Sequence, residues 1–453
     1  MSVTTPENRI KTYGEVYTQE KEVNSMLDLV PDFALRFFEP GCGSGNFLVE
    51  LLHRKVKAGI PADMALNGLF GIDILNDNIE NTRHRLLTAA IRYGLDKSTA
   101  KSIIEKNIVI QDFLDPAFIP DTDFFIGNPP YQRMDGGHGA SSTPLYNLFI
   151  NKIKTLSARY MSFIIPSRWM ISGKGLDTFR KDMLNDSRLR VLVDHPVSVD
   201  CFPDVDITGG VCYFLWDRDY SGLTDYRLKS GETIVESSLR KLNDFDILIR
   251  RKSYNNILNK VLSHNLPSFS EHILGLDPFG FSTNYFGSAE KDANNTILLY
   301  ARNRINYIKR DEVKRNQHII YSYKVMQPKA SGYGTGTLPA VVTGLPFVAK
   351  PDEVCTQTYV VCYTSDDFET AYRVGQYLAT KFSRFMISIR KNTQDFNQSK
   401  ARFVPALDFS VEWTDEKLYR YFNLNQEEID TIEGHVKPLL YTGVNRNLTE
   451  LDT

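Results

Sequence analysis

The sequence predicts an α/β protein: a doubly wound, seven-stranded, mostly parallel sheet, followed by a second domain of α+β type. Three observations predict it. Seven short β-rich runs punctuate the first half, at residues 34–39, 69–73, 108–112, 123–127, 160–165, 189–194 and 210–216. Helical stretches separate the early ones: residues 47–56 place Phe47, Leu48, Leu51 and Leu52 on one face, and residues 79–93 form another. Beyond about residue 235 the chain becomes irregular and aromatic-rich, studded with Gly, Pro and Asn, as at 331–336. Strand–helix alternation argues for a parallel sheet wrapped by helices. Its ligand belongs beyond the carboxyl ends of the strands, near the first strand–helix turn.

A chain of 453 residues is too long for one ordinary core and suits two domains. The change of character places the boundary between 230 and 243, giving domains 1–235 and 236–453. With 42% hydrophobic and 24% charged residues the composition is that of a soluble globular protein. No apolar run reaches the roughly 18 residues of a membrane span, and the N-terminus MSVTTPENRIKTYGE has no signal-peptide apolar region. The five cysteines are scattered, without a CxxC pair or His/Cys clusters at zinc spacing, so no metal is expected and a reducing cytoplasm fits. The net charge of −2 hides an uneven distribution. Residues 300–406 carry 16 Lys and Arg against 8 Asp and Glu, whereas 407–453 carry 4 against 10. A basic segment is what a phosphate-tracking surface needs, although charge counting alone favours a solvated face with scattered charge.

The first strand runs into Phe38-Glu39-Pro40-Gly41-Cys42-Gly43-Ser44-Gly45-Asn46-Phe47, a glycine-rich turn that opens a helix. Gly41, Gly43 and Gly45 let the backbone approach a ligand closely. Glu39 sits at the strand end, where its carboxylate can face the ammonium or sulfonium of S-adenosylmethionine. Alone, such a turn would equally serve a dinucleotide. Two later strand ends add acids. Asp73 can accept from both ribose hydroxyls, and Asp112 from the adenine amino group while Phe113 covers the ring. Single acids there are often caps or turn residues. Three on successive strand ends beside one glycine turn point to a nucleoside cofactor.

The fourth strand ends in Gly127-Asn128-Pro129-Pro130-Tyr131. A conjugated amine is a poor nucleophile because its lone pair is delocalised into the ring. The Asn128 side-chain oxygen and the Pro129 carbonyl can each accept a hydrogen bond from such an NH2 group, localising the lone pair for attack on a methyl carbon. Two prolines preorganise the acceptors. Tyr131 offers a flat surface on which the target ring can stack, and a phenol is a poor base at neutral pH.

With these motifs in this order the chain resembles the gamma-class adenine-N6 DNA methyltransferases of bacterial restriction–modification systems. The resemblance covers about residues 11–216. It implies a class I S-adenosylmethionine-dependent methyltransferase fold with a C-terminal target-recognition domain. Gly14-Glu15-Val16-Tyr17-Thr18, followed by Val23, Met26, Leu27 and Leu29, is similar to the motif that folds over the cofactor's methionine part, which nominates Thr18; Gln19 stands where the family often has proline. Leu145-Tyr146-Asn147-Leu148-Phe149 resembles the helix whose aromatic, here Phe149, lines the adenine pocket. Cys201-Phe202-Pro203 resembles the motif whose aromatic faces the extruded base opposite the tyrosine, although Phe202 equally reads as a buried loop anchor.

The implied activity is transfer of a methyl group from S-adenosylmethionine to N6 of adenine in double-stranded DNA. A base within a duplex cannot reach the tetrapeptide, so the target must be extruded. Reading the flanking sequence then falls to the second half, with Arg302, Arg304 and Lys329 as substrate contacts. Lys309, Arg310, Lys314, Arg315, Arg384, Arg390, Lys391, Lys400 and Arg402 extend the expected basic surface. Any flat amide or amino group fits the two acceptors, so RNA or a protein glutamine remains an alternative substrate. A bifunctional protein with its own nuclease is disfavoured, because the acid–lysine triplets at 312–314 and 415–417 follow no suitably placed Pro-Asp. A cognate restriction endonuclease acting separately is compatible with the resemblance, as is a solitary enzyme. The asparagine reading carries one further expectation: Asn128→Ala nearly abolishes transfer and leaves cofactor binding close to intact.

Overall fold

The computed structural model describes residues 16–116, 119–134, 142–203, 205, 207–331, 338–391 and 393–444. Gly14, Glu15 and residues 332–336 of the glycine-rich loop lie outside them. The chain divides into two compact units, the first ending at Leu248 and the second starting at Ile249. A boundary at 235/236 would cut through a strand, Thr233–Arg240, that pairs along its length with its neighbour in the first unit's sheet.

The strands of the first unit are β1 (Phe37–Pro40), β2 (Leu69–Asp73), β3 (Ile108–Ile110), β4 (Phe124–Gly127), the hairpin β5 (Gln132–Met134) and β6 (Ser142–Pro144), β7 (Tyr160–Pro166), β8 (Leu189–His195), β9 (Val211–Asp217), β10 (Thr224–Ser230) and β11 (Thr233–Arg240). Nine of them form one sheet in the order β3-β2-β1-β4-β7-β9-β8-β10-β11. Only β9 and β11 run against the rest. The seven expected strands are all present and adjacent. Beyond β8 the sheet gains β10 and β11, whose polar sequences TDYRLKS and TIVESSLR carry no continuous apolar signal.

The helices of this unit are α1 (Glu20–Leu27), α2 (Asn46–Lys57), α3 (Ala62–Asn67), α4 (Asn76–Arg92), α5 (Lys97–Asn107), α6 (Tyr146–Thr155) and α7 (Asp177–Leu184). Side chains alternate across a strand, so a sheet buried on both faces feeds two cores. Phe37, Phe124, Ile126, Ile164 and Val193 point into one, packed against α1 to α5. Phe38, Phe125, Phe163, Ile165 and Leu192 point into the other, against α6 and α7. This is the doubly wound arrangement, and it leaves the carboxyl ends of β1, β2, β3 and β4 side by side.

The second unit opens with α8 (Lys252–Leu262). It contains two three-stranded sheets, the first built from β12 (Ile297–Ala301), β13 (Arg304–Ile308) and β16 (Glu353–Cys355). The second consists of β14 (Tyr323–Pro328), β15 (Phe347–Ala349) and β17 (Tyr359–Ser365). Four helices follow: α9 (Phe368–Ala379), α10 (Lys381–Arg390), α11 (Asp415–Tyr421) and α12 (Gln426–His435).

Here one expectation is corrected. Arg384, Arg390, Lys391 and Lys400, expected on a basic surface, are buried, as is Lys324. Backbone carbonyls accept from four of these cations, Arg390 among them through its Nε bond to the Ser399 carbonyl at 3.1 Å. Arg384 Nε donates to the carbonyls of Ala379 and Thr380 at the end of α9, and its Nη1 to that of Lys437. Lys400 Nζ donates to the Arg390 carbonyl that ends α10, at 2.9 Å. Lys324 Nζ lies against the carbonyls of Ile319, Ile320 and Ser322, and burial lowers its pKa to about 8. Helix C-termini present unpaired carbonyls and a partial negative charge, which these cations satisfy from inside. Arg302, Arg304 and Lys309 are exposed.

Among the described residues no helix is long and apolar enough to cross a membrane, and no group of three or more His, Cys, Asp or Glu could hold a metal ion. All five cysteines are buried free thiols.

Candidate active site

A cavity opens at the carboxyl ends of β1, β2 and β4. Its wall includes the expected Thr18, Glu39, Gly41, Gly43, Asp73, Asp112, Phe113, Asn128 and Phe149, drawn from six separate stretches of the chain.

The glycine turn is a closed hydrogen-bonded structure. Gly41 N and Cys42 N both donate to the Ile72 carbonyl at 2.8 Å, fastening the end of β1 to β2. Gly43 N donates to Asp73 Oδ2 at 2.9 Å, and Leu75 N to Asp73 Oδ1 at 2.9 Å. Asp73 therefore braces the turn as well as facing the cavity. With a further hydrogen bond from the Asn78 side chain, the carboxylate keeps lone-pair capacity for a ligand hydroxyl. Gly45 does not border the cavity, and its place in the fold has a structural reason. It starts α2 at φ +78°, and a Cβ there would lie 2.7 Å from the Thr82 side chain. Thr82 Oγ1 in turn donates to the Gly43 carbonyl.

Glu39 is 3% exposed, and its Oε2 has no hydrogen-bond partner. Burial, and next the charge of Asp73, push its carboxyl well above the usual range. Burial likewise raises Asp73. Two buried carboxyl groups beside one cavity leave a deficit of positive charge that a cationic ligand would fill. Gly127 makes room for this arrangement, because a Cβ there would sit 3.1 Å from Glu39 Cγ.

Asp112 is exposed, with Oδ1 accepting from Leu114 N at 2.8 Å in a local turn. Phe113 and Phe149 are buried, with ring centroids 5.1 Å apart. They give the cavity an apolar side of the kind a purine ring occupies.

Asn128 also borders the cavity. Its Nδ2 donates to the Val16 carbonyl at 2.8 Å, while its Oδ1 is buried and has no partner. Pro130, not Pro129, borders the cavity, and Tyr131 lies outside its wall. The Tyr131 hydroxyl lies near the Asn128 side chain without a hydrogen bond of usable geometry, and burial raises its pKa well above the ordinary phenol value. The rings of Tyr131 and Phe202, expected to face each other across a base, meet edge to face at 6.5 Å and 82°. Both are buried. No parallel slot exists between them, because each ring fills the space beside the other.

Sequence reading missed several supports. Asn46 Nδ2 donates to the Thr18 carbonyl at 2.9 Å. Arg85, from α4, donates to the Ser44 carbonyl and to Asn46 Oδ1, each at 2.6 Å. Asn46 directly follows the glycine turn and was legible as a neighbour. Arg85 lies on a helix 39 residues further on and carries no local signal. In the second unit, Arg304 stacks on Phe286 at 4.6 Å, and Lys329 lies 3.9 Å from Asp395.

Residues 67–202 match the family described as Eco57I restriction-modification methylase. An uncharacterized adenine-specific methylase of Mycoplasma pneumoniae is 33% identical over 157 residues, which cover 31% of this chain and 36% of that protein. The type II methyltransferase M.BstVI of Geobacillus stearothermophilus is 30% identical over 212 residues, covering 41% of this chain and 37% of that protein. Among solved structures, a chain of a DrdV–DNA complex superposes with a TM-score of 0.49 at 12% identity, over 88% of this chain and 56% of that one. The chain thus spans little more than a third of the length of these curated relatives. Residues 67–202 are thus similar to restriction-modification methylases, and the curated relatives named here are an adenine-specific methylase and a type II methyltransferase.

Proposed function

We propose that this chain, similar to restriction-modification methylases at 67–202, is a sequence-specific DNA methyltransferase that modifies N6 of an extruded adenine. The observation that carries the reading is Asn128. It lines the same cavity as the two buried carboxyl groups of Glu39 and Asp73, and its side-chain oxygen is buried without a partner. S-adenosylmethionine, when bound, supplies the methyl group. The residues present fit it: Glu39 leaves a buried oxygen unpaired for a cationic end, Asp73 keeps lone pairs for ribose hydroxyls, and Phe113 and Phe149 enclose the purine while Asp112 meets its edge. Thr18 closes the methionine side. Asn128 Oδ1 and the Pro129 carbonyl accept hydrogen bonds from the target amine, and the Tyr131 ring supports the base. The unit ending at Leu248 is the catalytic domain and the unit from Ile249 the target-recognition domain. The enzyme would serve as the modification partner of a restriction–modification system.

Single-molecule sequencing of DNA from cells expressing the chain tests this directly. N6-methyladenine at one recurrent sequence is expected. Its absence, with the purified chain also inactive on DNA carrying many sequences, would reject the reading.

Arg302, Arg304 and Lys329 are assigned to the DNA contact. Charge reversal at Arg302 and Arg304 is expected to weaken DNA binding at all sequences and to lower the salt slope by about one per lost phosphate contact. Calorimetric affinity for the cofactor should stay as in wild type. DNA affinity unchanged between low and moderate salt would remove both arginines from the interface.

A further inference from the structure

The segment entering α1 borders the cavity. Val16, Tyr17 and Thr18 form part of its wall. Two asparagines from different parts of the fold hold this short stretch by its backbone. Asn46, just after the glycine turn, donates to the Thr18 carbonyl, and Asn128, 112 residues away from Val16, donates to the Val16 carbonyl. The second bond also fixes the asparagine. An amide has one donor side and one acceptor side. With Nδ2 committed to Val16 O, Oδ1 must point the other way, where it is buried without a partner.

We infer that the Val16 carbonyl is a positioning group and Asn128 a two-sided latch, its Nδ2 holding the cofactor-side wall while its Oδ1 is presented to the target amine. The inference rests on the methyltransferase reading above. Its content is a coupling: the residue that polarises the amine also preorders the wall of the neighbouring ligand site. Any such coupling is reciprocal in free energy. A wall released from the latch must be ordered by the ligand at the ligand's expense, which weakens binding. This replaces the expectation that Asn128→Ala leaves cofactor binding close to intact.

The test separates the two sides of the amide. Asn128→Ala removes donor and acceptor. Asn128→Asp is nearly isosteric and keeps an acceptor, but at neutral pH it cannot donate to Val16 O. S-adenosylhomocysteine is the probe, because it lacks the charged sulfonium to which a new carboxylate would be drawn. Binding is measured by calorimetry on the full chain without DNA, with thermal melting to confirm that each variant is folded. Loss of one hydrogen bond predicts that both variants bind about threefold to tenfold more weakly than wild type. Hydrogen exchange at Tyr17 and Thr18 should also be faster in both variants without ligand. If wild type binds and either folded variant stays within about threefold of it, the latch is wrong while the cofactor reading stands. Wild type that fails to bind S-adenosylhomocysteine overturns the cofactor reading itself, and the latch with it.

Discussion

Asn128→Ala is expected to lower the turnover of adenine methylation by about two to three orders of magnitude, the usual effect of deleting one preorganised hydrogen-bond partner from a buried reaction centre. The size follows from geometry. Asn128 Oδ1 is already desolvated and partnerless, so it makes no bond that must break before the amine arrives. Single-turnover measurements at saturating cofactor and DNA isolate this loss from the weaker cofactor affinity expected of the latch. Turnover within tenfold of wild type would remove Asn128 from the chemistry.

Asp73→Ala should have the larger effect on cofactor affinity, at about a hundredfold or more, from two or more hydrogen bonds to a charged group at ~1.5–3 kcal/mol each. The variant loses the ligand contact and leaves Gly43 N and Leu75 N without their acceptors. The glycine turn then has no fixed floor, so a lower melting temperature should accompany the weaker binding. Asp73→Asn is the informative companion. Its single oxygen can hold one of the two amide groups, and its NH2 would oppose the other, so affinity should fall between Asp and Ala. Calorimetry with each variant measures this. An Asn variant worse than Ala would mean that the opposed NH2, and not the missing acceptors, controls the turn.

The first unit was legible because its signals are local. β1, β2 and β4 are short apolar runs buried on both faces, and Glu39, Asp73 and Asn128 lie at or just past strand ends, where such sheets place ligands. β10 and β11 were illegible because an edge hairpin with one solvated side reads as polar alternation. The domain boundary consequently came out too early. Gly45 looked like a ligand glycine, yet its constraint is the close approach of Thr82 from α4, a contact no local pattern encodes. The Val16–Asn128 bond was hidden for the same reason, since a backbone carbonyl has no sequence signature. Tyr131 and Phe202 were identified as neighbours by motif order, but their mutual angle depends on packing.

The buried cations of the second unit change what its charge can do at a distance. Of the 16 basic residues in 300–406, Lys324, Arg384, Arg390, Lys391 and Lys400 are interior, leaving eleven against eight acids. A cation held inside by carbonyls keeps its charge but cannot touch a phosphate, and beyond a Debye length of roughly 8 Å in physiological salt the field of this modest excess is screened. This part of the molecule therefore projects a weak far field, despite a composition that counts as strongly basic. Diffusional capture of a polyanion would gain little from it, and its arrival rate should change little with ionic strength. Salt would act mainly on how long an established contact survives.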